Sequence, residues 1–336
     1  MTKWRAPILL GAVGIAALGW MGWQFGLSEL TDTLRRVSLP SVLLYLMLGA
    51  AAVTSHSLRW QLIMRALGKH VPFARLVYAR LAGDAVGALV PSGKLAGEPV
   101  RVALVRAEGI AGAEAGAGVS IDRLLEVISN MLCFMLYVSI FSLSRMGSAQ
   151  IESVAVAVML ALLVALSVPL ILLRRGISPF SLLYSDLAQR WLRPLAPWLG
   201  TLRTIELHLQ RFFREHAAAF VIGLAGALAT EALVVCQYWV LLAAFGLRLD
   251  LPTLLLALVG TGFARSVPAP AGLGALEASQ VSVLALAQGR PDVGFVVGIV
   301  MRLHETLWIA IGLAALAARG KWSTAGAADV AGKVAA

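Results

Sequence analysis

Charge is scarce in this sequence. Only 14% of its 336 residues are Asp, Glu, Lys or Arg, against about 25% in an ordinary soluble domain. A fully water-solvated surface is therefore excluded. Cysteine is almost missing: Cys133 and Cys236 both lie in apolar runs, where they read as packing residues and not as a disulfide or a metal pair. Walker motifs, a dinucleotide fingerprint, a metal-ligand cluster and a Ser–His–Asp arrangement are all lacking. No cofactor, metal or catalytic residue is expected, and the chain does not read as an enzyme. The glycines between Gly109 and Gly118 fit close helix packing rather than a nucleotide loop. After the basic MTKWR, the apolar run Ala6 to Gly26 has no small-residue cleavage site behind it, so it reads as a retained helix and not a signal peptide.

What is present is hydrophobic: 59% of residues, with a mean hydropathy of +0.83. That is a polytopic membrane protein, all-α and a single membrane domain over residues 1–336. The net charge of +10 does not point to nucleic acid, because the excess Lys and Arg fall in loops, where they orient the chain and meet anionic lipid heads. Beyond the first helix, spans are predicted at about Pro40–Met64, Ala111–Leu143, Ile151–Leu173, Ala217–Phe245 and Asp292–Ala318. Two stretches resist this reading. From Leu81 to Gly109 and from Thr253 to Gln288, prolines, glycines and charges break the apolar run. Each fits a pair of half-helices entering and leaving on one side of the membrane, since irregular backbone is tolerated where protein or a wet cavity covers it. Residues 174–215 interleave arginines with Trp191, Trp198, Phe212 and Phe213, the pattern of an amphipathic cytoplasmic linker helix lying on the membrane surface. The tail 319–336 is small and polar and reads as disordered.

The two broken stretches are copies. PSGKLAGE, 24 residues, then RLLE recurs as PAGLGALE, 24 residues, then RLHE. An ungapped offset of 179 superimposes Gly83 on Gly262, Pro91 on Pro270, Gly93 on Gly272, Glu98 on Glu277, Arg123 on Arg302 and Glu126 on Glu305, and further back Trp60 on Trp239. The matches fall on helix breakers and intramembrane charges. Two repeats follow, 40–143 and 217–318. With the N-terminus inside, nineteen Lys and Arg lie on the cytoplasmic side and five outside, a clear positive-inside bias. Both termini are then cytoplasmic, and the hairpins open from opposite faces. The architecture expected is a helical bundle of two inverted repeats, each with a broken re-entrant hairpin, as in alternating-access transporters.

Arg123 and Arg302 lie inside predicted spans, where a buried arginine costs at least about 2.5–3.5 kcal/mol and needs a partner or a wet cavity. Glu126 and Glu305 follow one turn on, on the same helical face. Glu98 and Glu277 come from the hairpins. A guanidinium grips phosphate as a two-pronged fork, and half-helix N-termini near Pro99 and Gly272 would add backbone donors. This set suits a phosphate-bearing head group carrying an amine or sugar. The same residues also fit structural salt bridges, Arg123 with Glu98 or Glu126 and Arg302 with Glu277 or Glu305. Asp84, Lys94, Arg101 and Asp122 belong only to the first copy, Arg265 and His304 only to the second. They fit substrate or proton handling; alternatively Lys94 and Arg101 snorkel to the interface and His304 is a packed, hydrogen-bonded residue.

The pattern P-x-G-x4-E with an arginine 25 residues on, repeated in VPAPAGLGALE, resembles a flippase-like membrane family: the transmembrane domain attached to lysylphosphatidylglycerol synthase, the multiple peptide resistance factor. Its stand-alone members include proteins associated with hopanoid biosynthesis. The resemblance runs from about residue 10 to 318. It implies movement of lipids, such as aminoacylated phospholipids, between leaflets of a bacterial inner membrane without ATP. By resemblance, Pro91, Gly93, Glu98, Arg101 and Arg123 fit the first motif and Pro270, Gly272, Gly274, Glu277 and Arg302 the second; with the residue reading above, substrate contacts are expected at Glu98, Arg101, Arg123, Glu126, Glu277, Arg302 and Glu305, and hinge or re-entrant roles at Pro91, Gly93, Pro270, Gly272 and Gly274. The soluble aminoacyl-transferring domain of the two-part members is not expected, since no folding sequence follows residue 320. Membrane lipids are the expected partners, and a lipid-biosynthesis enzyme is a further candidate. Two other functions fit the architecture: an ion-coupled transporter of small solutes, and a non-transporting accessory protein of lipid or hopanoid biosynthesis.

Overall fold

The computed structural model describes residues 37–90, 95–144, 149–177, 196–266 and 274–318. The predicted helix at Ala6–Gly26, the breakers Pro91, Gly93, Pro270 and Gly272, Lys94, most of the linker before Ala196 and the tail lie outside the described residues. Those residues form ten helices: α1 (Leu39–Ala66), α2 (Phe73–Leu89), α3 (Gly97–Arg106), α4 (Gly112–Ser144), α5 (Ala149–Arg175), α6 (Ala196–Glu215), α7 (Ala217–Ala244), α8 (Leu251–Ser266), α9 (Ala275–Gln288) and α10 (Pro291–Ala318). Five of them, α1, α4, α5, α7 and α10, are long and apolar enough to cross a membrane. At 28 residues, α1 rises about 42 Å against a hydrocarbon core of about 30 Å.

The helix order repeats. Adding 179 to the bounds of α1, α2, α3 and α4 gives those of α7, α8, α9 and α10 to within two residues at every end but those of α9 and α10 furthest along the chain. Local signals set several of these ends. Ser38 caps α1 by accepting the Ser41 N–H at 3.3 Å, with Pro40 in the first turn. Both α1 and α7 stop on a glycine in the left-handed region, Gly68 (φ 73°) and Gly246 (φ 71°). Each then closes with the backbone bond that follows such a glycine, Lys69 N–H to Met64 O at 2.8 Å and Leu247 N–H to Leu242 O at 3.0 Å.

The broken stretches are short helix pairs, 17 and 10 residues in the first and 16 and 14 in the second. The first pair starts at Phe73, eight residues earlier than the expected Leu81, because α2 is apolar from its first turn and Pro72 is its N-cap. Leu76 and Ala79 share a core with Val105 while Gly83 meets Gly97, so α2 and α3 run antiparallel. At that crossing backbone touches backbone: a Cβ on Gly97 would land on the Gly83 carbonyl. Gly97→Ala is expected to destabilise the protein by about 1–3 kcal/mol. Gly226→Ala, on α7 with nothing within 4 Å of the added Cβ, is expected to be neutral or stabilising. Thermal unfolding of the two variants in detergent checks the contrast.

The halves interlock. Tyr45 O accepts from Gln237 at 3.0 Å, Ser55 meets Thr230 at 2.8 Å, and Gly223 packs toward Arg59, so the matching helices α1 and α7 cross antiparallel. Helix α2 lies on α10 through Gly312 against Leu81 and Ala85, and α8 lies on α4 through Phe263 and Phe134. Each half has its own apolar core. A third core joins α1, α4 and α5 to α6 through Leu209, Phe212 and Phe213. The linker helix thus buries Leu209, Phe212 and Phe213 on protein and leaves Leu202 and Leu207 exposed; much of the stretch expected to lie on the membrane surface, 178–195, is outside the described residues. Phe212 and Phe213 are buried against α4 and α5 because those spans leave Ile121, Leu125 and Leu173 uncovered on that side.

Candidate functional site

The polar centre of the first half is built on Asp122, in α4 and fully buried. Its Oδ1 accepts from Arg59 Nε of α1 at 2.8 Å. Its Oδ2 accepts from Arg80 Nη1 of α2 at 2.9 Å and Arg101 Nη2 of α3 at 2.6 Å. One carboxylate thus ties four helices, and all three arginines are buried with it. The Arg101 guanidinium also sits 4.2 Å from the ring centroid of Trp60, a cation–π contact strengthened by the dry surroundings. One turn on, Glu126 accepts from Arg80 Nη2 at 3.3 Å and Arg123 Nη1 at 3.1 Å. Glu98 accepts from Arg101 Nη1 at 3.0 Å.

The second half repeats part of this. Glu305 bridges Arg302 Nη1 at 3.1 Å and Arg265 Nε at 2.8 Å, as Glu126 bridges Arg123 and Arg80. Fully buried Glu277 is gripped by Arg302 through Nε at 2.9 Å and Nη2 at 3.3 Å. Where the first half places Arg59, Arg101 and Asp122, the offset of 179 places Tyr238, Gln280 and Met301. There the layer is neutral: Tyr238 Oη donates to Gln280 Oε1 at 2.6 Å, and Gln280 Nε2 donates to Thr261 Oγ1 at 2.9 Å. The repeated scaffold carries an ionic layer on one side and an uncharged one on the other.

Between the halves lies a cavity of about 280 Å³. Its charged lining is Arg80, Asp84, Arg101, Arg123, Glu98 and Glu126 from the first half and Arg265 and Glu305 from the second, with His56, Tyr45, Gln237 and His304 around them. The arginines divide by exposure. Arg59, Arg80 and Arg101 have side chains no more than 5% exposed, whereas those of Arg123 and Arg265 are 30% and 36% exposed. Among the described residues each of the latter two gives a single hydrogen bond, to Glu126 and Glu305 respectively, and there its other guanidinium N–H groups are available to a guest. His304 is a packed residue. Its Nε2 faces two obligate donors, Trp308 Nε1 at 2.9 Å and Gln237 Nε2 at 3.1 Å, so Nε2 is an acceptor and the ring proton is on Nδ1.

Of the residues singled out in the sequence, Asp84, Glu98, Arg101, Arg123, Glu126, Arg265, His304 and Glu305 line the cavity. Glu277 and Arg302 do not; they close on each other beside it. One expectation is corrected. Arg101 does not snorkel to an interface: it is 1% exposed, because Asp122 and Trp60 hold it inside. At the N-terminus of α9, Gly274 N–H donates to Glu277 Oε2 at 3.0 Å; the backbone donors expected near Gly272 lie outside the described residues. Gly274 holds that cap at φ 79°. Among the described residues no group of three or more His, Cys, Asp or Glu is placed to hold a metal. The sequence reading missed Arg59 and Arg80 as site residues and left Asp122 and Arg265 as unpaired oddities. The signal was available, since an ionisable residue inside a span is a site candidate by default.

Against known proteins, the family model described as the lysylphosphatidylglycerol synthase TM region matches residues 8–314. An archaeal "UPF0104 membrane protein" from Methanothermobacter thermautotrophicus is 30% identical over 171 residues, 49% of this chain and 50% of that protein. The chain thus aligns with about half the length of this curated relative.

Proposed function

Because this chain belongs to the family of the lysylphosphatidylglycerol synthase transmembrane region, we propose that it carries a lipid between the leaflets of a bacterial inner membrane, without ATP, with both termini cytoplasmic. The observation that carries this reading is the charged cavity inside an apolar bundle, formed jointly by both halves and holding two half-exposed arginines, one from each. A phosphate-bearing head group would enter it and meet Arg123 and Arg265, while the hydrocarbon tail stays in the bilayer. At about 280 Å³ the cavity suits a head group and not acyl chains. In this reading the two copies are inverted repeats and α2–α3 and α8–α9 are re-entrant hairpins. The antiparallel crossing of the matching helices α1 and α7 supports inversion. So does the positive-inside bias, which survives removal of buried Arg80 and Arg101 from the cytoplasmic count.

Purified protein in liposomes containing fluorescent short-chain phosphatidylglycerol tests the proposal. Membrane-impermeant dithionite reports the outer-leaflet fraction. Probe movement well above that of protein-free vesicles is expected, slowed about tenfold or more in Arg123→Ala, the effect of losing one charge-assisted contact. Movement no faster than in protein-free vesicles removes the function; undiminished movement in the variant removes the site.

A further inference from the structure

Helix α7 carries one carboxylate that the cavity does not use. Glu231 is partly buried at the middle of the span, and no arginine, lysine or histidine of the described residues pairs with it. Asp122, Glu126 and Glu305, by contrast, each hold at least one arginine. Its partner is Asn130 of α4. With the amide nitrogen turned inward, Asn130 donates to Glu231 Oε1 at 2.6 Å and to the Glu126 carbonyl at 3.3 Å.

We propose that Glu231 is a proton-binding site that couples lipid movement to a transmembrane proton gradient. The inference rests on the lipid-moving reading. An ionised carboxylate in a span with no cation on it is costly, and taking a proton removes that cost. Asn130 serves both states. Its N–H₂ faces the carboxylate, and a half-turn of the amide presents its carbonyl to the hydroxyl of the acid. The other groups facing Glu231 are Glu126, Cys133 and Tyr137 on α4, Arg59 on α1 and Arg265 on α8; Arg59 bonds Asp122 and Arg265 bonds Glu305, and among the described residues neither bonds Glu231. The link to the cavity is short: the Asn130 amide donates to the Glu126 carbonyl one turn back on α4, and the Glu126 side chain lines the cavity beside Arg123. Protonation of Glu231 thus acts on the stretch of α4 that presents the head-group arginine. The repeat gives a second indication. The offset of 179 places Glu231 on Ala52 and Asn130 on Ile309, and both of those are cavity-wall residues.

The test uses the full chain in the same vesicles, with potential clamped by potassium and valinomycin and a pH step of one unit imposed. With one proton per lipid, the steady-state leaflet ratio of fluorescent phosphatidylglycerol is expected to shift about tenfold. It should reverse with the sign of the step, keep its response in Glu231→Asp and lose it in Glu231→Gln. A ratio indifferent to the pH step, a response retained in Glu231→Gln, or one that follows a sodium gradient instead overturns the proposal. Infrared difference spectroscopy on a pH jump gives a readout that does not need transport: a carboxylic-acid carbonyl band present in wild type and missing in Glu231→Gln. If wild type moves no probe at all, the lipid-moving reading fails, and that band alone decides Glu231: its presence upholds the proton site and its absence overturns it.

Discussion

Asp122→Asn is expected to lose more stability than any other single substitution in the polar layer. The amide keeps the volume but not the charge that three buried guanidiniums share. Arg80 can still reach Glu126 and Arg101 can still reach Glu98, whereas Arg59 keeps only a 3.7 Å approach to Glu126. Removing one partner from a buried ion pair costs about 3–5 kcal/mol, because the remaining charge is left uncompensated. The second half shows that this layer need not be ionic, since Tyr238, Gln280 and Met301 fill it without charge. Replacing the whole set in the first half, Arg59→Tyr, Arg101→Gln and Asp122→Met together, is therefore expected to melt higher than Asp122→Asn alone. Thermal unfolding in detergent, followed by tryptophan fluorescence, ranks the three proteins. A single variant that melts with wild type would show that Asp122 anchors nothing.

How far the sequence could be read depends on which constraint set each residue. Span positions were legible because a helix that crosses hydrocarbon must be apolar along its length. The spans predicted at Ala111–Leu143 and Ala217–Phe245 match α4 and α7 to within a residue. The repeat was legible because breakers and charges are rare in such sequence, so Glu98 over Glu277 and Arg123 over Arg302 stood out. The i, i+3 pairs were legible too: Arg123 with Glu126 and Arg302 with Glu305 need only helical geometry.

Of the partners from other helices, Glu277 for Arg302 was legible, but those that Arg59, Arg80 and Arg265 supply were not. Arg80 on α2 and Arg265 on α8 play one role, bridging to the glutamate of the facing span, yet they stand six positions apart under the repeat. An offset that scores identity at matched positions cannot see a function that has slid along a helix. Trp60 and Trp239 show the converse. They match under the offset, but Trp60 is wholly buried under Arg101 and Trp239 is exposed on α7. The linker was legible only in part for a related reason: an amphipathic helix advertises an apolar face without saying which part of it protein covers, and α4 and α5 take Phe212 and Phe213.

Arg123→Ala with Arg265→Ala is expected to abolish transport while leaving the fold nearly untouched, the opposite outcome to Asp122→Asn. Neither truncation strands a charge. Without Arg123, Glu126 keeps Arg80, and without Arg265, Glu305 keeps Arg302. Both side chains are about a third exposed to the cavity, so little packing is lost. If each guanidinium gives the head group one charge-assisted contact of about 1.5–3 kcal/mol, the pair supplies about 3–6, or about 10²- to 10⁴-fold in rate. Lysine at both positions separates charge from shape. It restores attraction but not the planar fork, so partial recovery marks phosphate recognition and full recovery marks a simple electrostatic lining. The check is probe movement in vesicles set beside the melting temperature of the same preparation. Slow transport with an unchanged melt assigns these two arginines to the lipid; a lowered melt would return them to the scaffold with Arg59, Arg80 and Arg101.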